Sequence, residues 1–335
     1  MTPQSSAHRL LLPLTPLYRL ALALRELRLG SKMEPVRRLR FPVVSIGNLS
    51  AGGAGKTPLT IALAEALTRR NLYVDVLSRG YGRKSKAALR VDPNGSAEEY
   101  GDEPLLIARE SGVPVYVAAQ RYEAGLMAEA AFSEPKGSIV HLLDDGFQHR
   151  QLHRDVNILL LDQRDLHDHL LPAGNLREPF SAMRRATVIA IPAGDAELQS
   201  KLKASGWQGP IWRLHRRMEV PPADGPVVAF CGIARSDQFF AGLEAAGLQL
   251  ASRIAFADHH HYKTHDIDCI RDAARSTGAT TIFTTEKDKV RLGKLGESLP
   301  LETARLRIDF DDEPATIDWL HELLMGMLIR KSQLG

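Results

Sequence analysis

The residues best suited to chemistry lie early in the chain. An apolar run at 43–47 leads through Asn48 and Leu49 into Ser50-Ala51-Gly52-Gly53-Ala54-Gly55-Lys56-Thr57, and a helical pattern follows at once. A loop of this kind, set between strand and helix, wraps phosphates in backbone N–H groups and adds the positive end of the helix dipole. Its lysine reaches the β- and γ-phosphates and its hydroxyl ligates Mg²⁺. Ser50 to Thr57 are therefore the candidate nucleotide site. Ser50 stands where the general GxxxxGK[ST] pattern has its first glycine, while Gly52, Gly53 and Gly55 supply the permissive backbone. The second signal is Asp144-Asp145, at the end of the apolar run 139–143. Adjacent carboxylates repel unless a cation joins them, and a strand-terminal aspartate is where a nucleoside triphosphatase holds its metal. Thr57, Asp144 and Asp145 are the candidate Mg²⁺ ligands.

Such motifs work only at the ends of neighbouring strands. Short apolar runs at 43–47, 73–78, 115–118, 139–143, 158–162 and 188–191 read as strands. Helical patterns at 58–70, from 104 onward and at 122–131 lie between them. The alternation predicts right-handed βαβ units. The pattern breaks across 210–226, where proline content rises, and a second series starts at 227–231 and continues through 237–246 and 282–285. The expected fold is α/β: a P-loop NTPase-like, mostly parallel sheet with helices on both faces, plus a second, smaller α/β lobe. Expected units are a membrane-surface helical segment at 1–40, a phosphate-loop domain at 41–222 and the second lobe at 223–335. A last helix, 315–329, fits either lobe.

Composition narrows the class. With 335 residues, 44% of them apolar and 25% charged, the chain is an ordinary globular protein. Two cysteines, Cys231 and Cys269, without CxxC spacing exclude a disulfide-stapled scaffold. The net charge of +3 is too small to argue for nucleic acid, but residues 1–40 carry eight basic and two acidic side chains. That local excess suits an anionic surface. The leucines between the arginines are too interrupted to span a bilayer. They suit a helix lying at the headgroup boundary, the other reading being that Leu17, Leu20, Leu24 and Leu27 pack on the core.

Several further segments carry a resemblance. Ser78-Arg79-Gly80-Tyr81-Gly82-Arg83, Gly101-Asp102-Glu103-Pro104-Leu105, Leu171 through Pro179, and Ala257-Asp258-His259-His260-His261-Tyr262 occur in that order around the two motifs. Together with residues 48–58, 144–150 and 284–288, this set resembles the tetraacyldisaccharide 4'-kinases, the lipid A 4'-kinases of Gram-negative bacteria. The likeness spans most of the chain. Asn175 departs from it, standing where the family usually has proline. That family characteristically lacks the first P-loop glycine, so Ser50 does not depart.

The resemblance implies transfer of the γ-phosphoryl group of ATP to the 4'-hydroxyl of a tetraacylated, 1-phosphorylated glucosamine disaccharide, a step of lipid A (lipopolysaccharide) biosynthesis. It implies a peripheral enzyme on the cytoplasmic face of the inner membrane, with ATP and Mg²⁺, a lipid disaccharide substrate, an anionic lipid surface and no nucleic acid; the oligomeric state stays open, a monomer being compatible with the sequence. Membrane contact then becomes the favoured reading of the N-terminal leucines. Lys56 stabilises the transferring group, and Arg177 clamps phosphate oxygens with its planar fork. Glu178 is a further carboxylate for the metal. Asp102 and His259 match the family's proton-accepting dyad, and Arg79 and Tyr81 match positions near the acceptor headgroup. Arg79 meets either the 1-phosphate or the γ-phosphate. Because Asp102 and His259 fall in different lobes, closure is expected to assemble them. His260 and His261 stay unassigned, and Lys287 either faces the cleft or is a solvated charge at a helix start. The competing class is a P-loop ATPase that couples hydrolysis to a membrane-associated partner.

Overall fold

The computed structural model describes residues 11–31, 35–133 and 139–334. Of the N-terminal segment, residues 1–10 and 32–34 lie outside the described part. The described strands are β1 (Val43–Asn48), β2 (Tyr73–Ser78), β3 (Leu89–Arg90), β4 (Val115–Val117), β5 (Ile139–Asp144) and β6 (Val156–Leu160). They continue with β7 (Val188–Pro192), β8 (Ile211–Glu219), β9 (Pro226–Cys231), β10 (Gln249–Ala255), β11 (Thr281–Thr285) and β12 (Leu301–Phe310). The helices are α1 (Thr15–Gly30), α2 (Lys56–Arg69), α3 (Ala97–Tyr100), α4 (Asp102–Ser111) and α5 (Arg121–Ala131). After them come α6 (Ala196–Ala204), α7 (Ser236–Ala245), α8 (Thr264–Thr277), α9 (Glu286–Leu292) and α10 (Glu313–Leu334).

All twelve strands join one sheet in the order β10-β9-β11-β12-β8-β7-β6-β1-β5-β2-β4-β3. Pairing is parallel except at β3/β4 and β8/β12. Strand β1 is buried along its whole length, as a strand covered on both faces must be. Its Val44 and Ile46 pack with Leu59, Leu63 and Leu67 of α2. Full burial of each such side chain is worth about 1.5–3 kcal/mol.

The break expected at 210–226 contains strand β8. Arginines and a histidine crowd this stretch and hide its alternation. In the fold those side chains find partners on β12 and just past its end, Arg217 with Asp309 at 3.1 Å and His215 with Asp311 at 2.9 Å. Strand β8 runs parallel to β7 and antiparallel to β12, and so carries the sheet from one half into the other. The last helix resolves its alternative: Ile317, Leu320, Leu324 and Leu328 of α10 join the core that holds β1 and α2. The strand expected at 158–162 begins two residues earlier, and the helix expected from 104 begins at Asp102.

The core-packing alternative for α1 is corrected. Leu17 is 67% exposed, Leu27 68%, and Leu20 and Leu24 about half. The inward face is instead Tyr18 and Leu22, which pack beside Leu49 and Phe147. No described helix is long and apolar enough to cross a membrane.

One buried ionic group lies beneath the sheet surface. His141 of β5 sits with Nδ1 2.8 Å from Asp75 of β2 and Nε2 3.5 Å from Glu129 of α5. Burial opposes its charge, but the flanking Asp75 and Glu129 carboxylates push it up to about 9.

Candidate active site

Strand β1 ends in Asn48, whose side chain shapes the phosphate loop. Its amide donates to the Ser50 carbonyl at 2.7 Å, and its Oδ1 accepts from Lys56 Nζ at 3.0 Å. Gly52 and Gly55 adopt φ of 96° and 92°, values that glycine reaches without strain. The residue 175–177 turn is pinned to this loop, Ala51 donating to the Asn175 carbonyl and Arg177 to that of Leu49, both at 2.7 Å. Arg216 of β8 donates to the Ala54 carbonyl at 2.6 Å. Thr57 is buried in the first turn of α2.

Parallel register sets the acidic pair beside this loop, since Asp144 of β5 lies opposite Ile46 of β1. Asp144 is buried, with Oδ1 3.2 Å from the Thr60 hydroxyl. Burial, then Glu103 and Asp145, push its carboxyl up to about 7. Asp145 has φ of 49°, a left-handed backbone that a non-glycine residue holds only under local constraint. Its carboxylate lies 3.0 Å from Arg177 and 3.5 Å from Lys56. Burial opposes its charge, but Lys56 and Arg177 outweigh that and hold it below the usual carboxylate range. Asp144 thus carries a charge the protein alone compensates poorly, which a divalent cation would relieve.

Glu178 does not join them. It is buried and paired with Arg185, which also reaches Glu26 of α1. Among the described residues no three His, Cys, Asp or Glu side chains converge at metal-binding spacing. Mg²⁺ commonly takes one or two carboxylates and completes its shell with phosphate oxygens and water. Thr57, Asp144 and Asp145 fit that pattern.

The second cluster is built from both halves of the chain. Gly101 (φ 91°) packs so closely on Gly80 that an added Cβ would fall 2.9 Å from the Gly80 Cα. This contact sets Asp102, at the start of α4, beside the Arg79–Tyr81 turn. Asp102 is 6% exposed. His259 holds φ of 58° and places its Nδ1 3.3 Å from Asp102 Oδ2. The Tyr81 ring meets the His259 ring edge-on at 5.5 Å. Arg291 of α9 completes the group, with Nε 2.7 Å from Asp102 Oδ2. Its other nitrogens reach the Gly232 carbonyl at 2.6 Å, Asp288 at 3.1 Å and His259 Nδ1 at 3.2 Å. Burial opposes the Asp102 charge; the His259 hydrogen bond and the Arg291 and Lys287 charges overcome it and hold the carboxyl far below its ordinary range. The hydrogen bond to Asp102 raises His259. Asp102 and His259 therefore stand paired in this conformation, with no closure needed to assemble them.

Sequence reasoning missed Arg291, and also Arg121, a buried arginine at the start of α5 whose Nε has no partner in the structure. Burial and then the neighbouring Arg79 push Arg121 down to about 10. Burial and then Arg121, Arg154, Arg25 and Arg79 push His149 down to about 4. Arg79 and Arg121 form a basic cluster within electrostatic reach of Asp145 and Asp144. Lys287 resolves its alternative by facing inward, against Glu103. A signal for Arg291 existed: it follows Lys287 by four residues on one helix, so both face the same neighbour.

A family model described as tetraacyldisaccharide-1-P 4'-kinase matches residues 7–325. A tetraacyldisaccharide 4'-kinase of Koribacter versatilis is 41% identical over 324 residues, covering 93% of this chain and 98% of the relative. One of Polaromonas naphthalenivorans is 36% identical, with coverage of 96% and 92%. The crystal structure of LpxK from Aquifex aeolicus in complex with ATP superposes with a TM-score of 0.75 at 32% identity, covering 95% of this chain and 99% of that one. The chain belongs to the tetraacyldisaccharide 4'-kinase family.

Proposed function

We propose that this chain transfers the γ-phosphoryl group of ATP to the 4'-hydroxyl of a tetraacylated glucosamine disaccharide 1-phosphate. The observation that carries the reading is that one sheet edge presents a phosphate loop and a carboxylate pair while the same cleft holds an ionised Asp102 against His259. A loop for the nucleotide and a base for an alcohol are what a kinase requires.

Ser50 to Thr57 cradle the nucleotide phosphates, and Lys56 meets the charge that develops on the transferring group. Arg177, held by Asp145, presents its remaining N–H groups toward phosphate oxygens. Thr57, Asp144 and Asp145 would hold Mg²⁺, which when bound would supply neutralising charge to the phosphate oxygens. Asp102 takes the proton of the attacking hydroxyl, and His259 lies in position to receive it. Arg121, buried with an unpartnered Nε, and the exposed Arg79 beside it suit the acceptor's own phosphate, because guanidinium groups match phosphate oxygens. Helix α1 docks next to this cleft through Tyr18, whose hydroxyl donates to the Arg177 carbonyl at 2.9 Å. Its exposed leucines face outward, an arrangement suited to resting on the cytoplasmic face of the inner membrane, where the acceptor is anchored.

The test is an assay with γ-labelled ATP against three acceptors: the lipid disaccharide monophosphate, its deacylated analogue and none. Label should enter the disaccharide at its 4'-position, and none should be transferred without acceptor. Release of labelled phosphate at equal rates with and without acceptor would favour a coupled ATPase instead.

A further inference from the structure

The His259 ring presents a single nitrogen to two partners. Nδ1 lies 3.2 Å from an Arg291 nitrogen and 3.3 Å from Asp102 Oδ2. An arginine N–H can only donate and a carboxylate can only accept. One ring nitrogen cannot accept and donate at once, so the two contacts belong to different protonation states of the ring. A neutral ring bound by Arg291 carries its proton on Nε2; a ring with a proton on Nδ1 turns that proton to Asp102.

We propose that Arg291 is a positioning residue for the proton-accepting pair. It engages the His259 Nδ1 lone pair while the ring is neutral, anchors the Asp102 carboxylate through Nε, and yields Nδ1 to Asp102 when the ring gains a proton. The guanidinium is suited to this because it is itself fixed. Its side chain is 7% exposed, and the Gly232 carbonyl and Asp288 hold it from the side away from Asp102. Asp288 is held in turn by the Tyr262 hydroxyl at 2.9 Å and by Thr285 at 2.6 Å. A planar fork addresses carboxylate and imidazole from two nitrogens in fixed geometry, whereas an ammonium offers one freely rotating nitrogen. The charged groups facing the pair are Arg291 and Lys287 from α9, Glu103 from α4 and Asp258 from the preceding turn, with the Tyr81 ring closing one side.

This gives the proton a path. As the bond from the acceptor oxygen to phosphorus forms and the bond to the ADP oxygen breaks, the hydroxyl proton passes to Asp102. From Oδ2 it moves to Nδ1 of His259, displacing the Arg291 contact, and the ring later returns it to solvent. The catalytic part of the inference rests on the kinase reading; the tautomer part does not.

The test uses the full chain labelled with ¹⁵N-histidine, with His259→Gln to assign the resonance, and compares wild type with Arg291→Met and Arg291→Lys. In wild type the neutral His259 ring should show Nε2–H. In Arg291→Met it should switch to Nδ1–H, with a higher titration midpoint because a neighbouring cation has gone. The transfer assay should show kcat reduced on the order of 100-fold, as a misplaced reacting group does, with KM for ATP changed by less than about threefold. Arg291→Lys keeps the charge and should recover part of kcat without restoring the Nε2–H tautomer. It also decides the matter by the same readouts if Arg291→Met fails to fold. An unchanged tautomer and midpoint, or a kcat within about threefold of wild type, would overturn the proposal. Should wild type transfer no label, the kinase reading fails, and the nitrogen spectra still judge Arg291.

Discussion

The two ends of the cleft are built by opposite strategies. The phosphate end is contiguous: Asn48, Lys56 and Thr57 span ten residues of one strand-loop-helix unit, with Asp145 supplied by the neighbouring strand. The proton-accepting end joins Asp102 to Arg291 across 189 residues and rests on helices from both halves of the chain. The first depends on local backbone conformation and tolerates changes elsewhere. The second exists only when the whole sheet has formed and α4 meets α9. This difference teaches which function each part serves: binding a phosphate needs a rigid loop, whereas a base that waits for an alcohol can be set by contact between two pieces.

The largest expected effect attacks the contiguous end. Lys56→Ala should lower kcat by about 10³-fold, the scale for removing a preorganised charge from a reacting group. The His259 titration should be little changed, since Asp102, burial, Arg291 and Asp258 are the main groups that set it. A shift in that midpoint would show that the two ends are one electrostatic unit. His259→Ala attacks the other end and should lower kcat by about 10²-fold while leaving ATP binding alone. Activity near wild type would remove the proton-relay role.

A third change separates the fold from both ends. His141 lies among Asp75 and Glu129, away from the strand terminus that carries Asp144. Its charge is favoured in the folded state, with a midpoint raised from 6.5 to about 9. Stability from this group is therefore full below the unfolded value and lost as pH rises through about 9. His141→Gln should cost about 3 kcal/mol, because the buried Asp75 and the partly buried Glu129 lose their cation, and should flatten the fall in denaturation midpoint between neutral and alkaline pH. If the mutant kept the same alkaline slope, the charged triad would be refuted.

The contrast between the ends also explains what the sequence disclosed. The phosphate loop and Asp144-Asp145 were legible because each is a short run whose spacing is its geometry. Asp102 and His259 became candidates only through resemblance to a family, as nothing local distinguishes either. Arg291 was legible only as a residue one helical turn after Lys287, since its meaning comes from a partner on another helix, and Arg121 was hidden because burial of an arginine leaves no mark on spacing. Glu178 follows Arg177 in the chain, but its carboxylate pairs with Arg185 here, a partner that spacing does not disclose. Strand β8 was missed because its charged residues pair along the sheet, which mimics the polarity of a loop.

The smallest effect on chemistry is expected from α1, and it tests whether the cleft's location matters apart from its geometry. Leu17, Leu20 and Leu24 are all about half exposed or more, whereas Tyr18 and Leu22 make the inward contacts. Changing the three leucines to serine removes apolar surface without opening a cavity, so stability should move by less than about 0.5 kcal/mol per site. Turnover of a deacylated, water-soluble acceptor should stay within about threefold. Binding to vesicles containing anionic phosphatidylglycerol should fall by more than about tenfold, because each leucine side chain contributes on the order of 1.5–3 kcal/mol when fully withdrawn from water. Turnover of the lipid acceptor in those vesicles should fall with it. Retained vesicle binding with all three leucines gone would place the membrane contact elsewhere, and an equal loss on both acceptors would mean that α1 shapes the cleft through Tyr18 rather than delivering it to a surface.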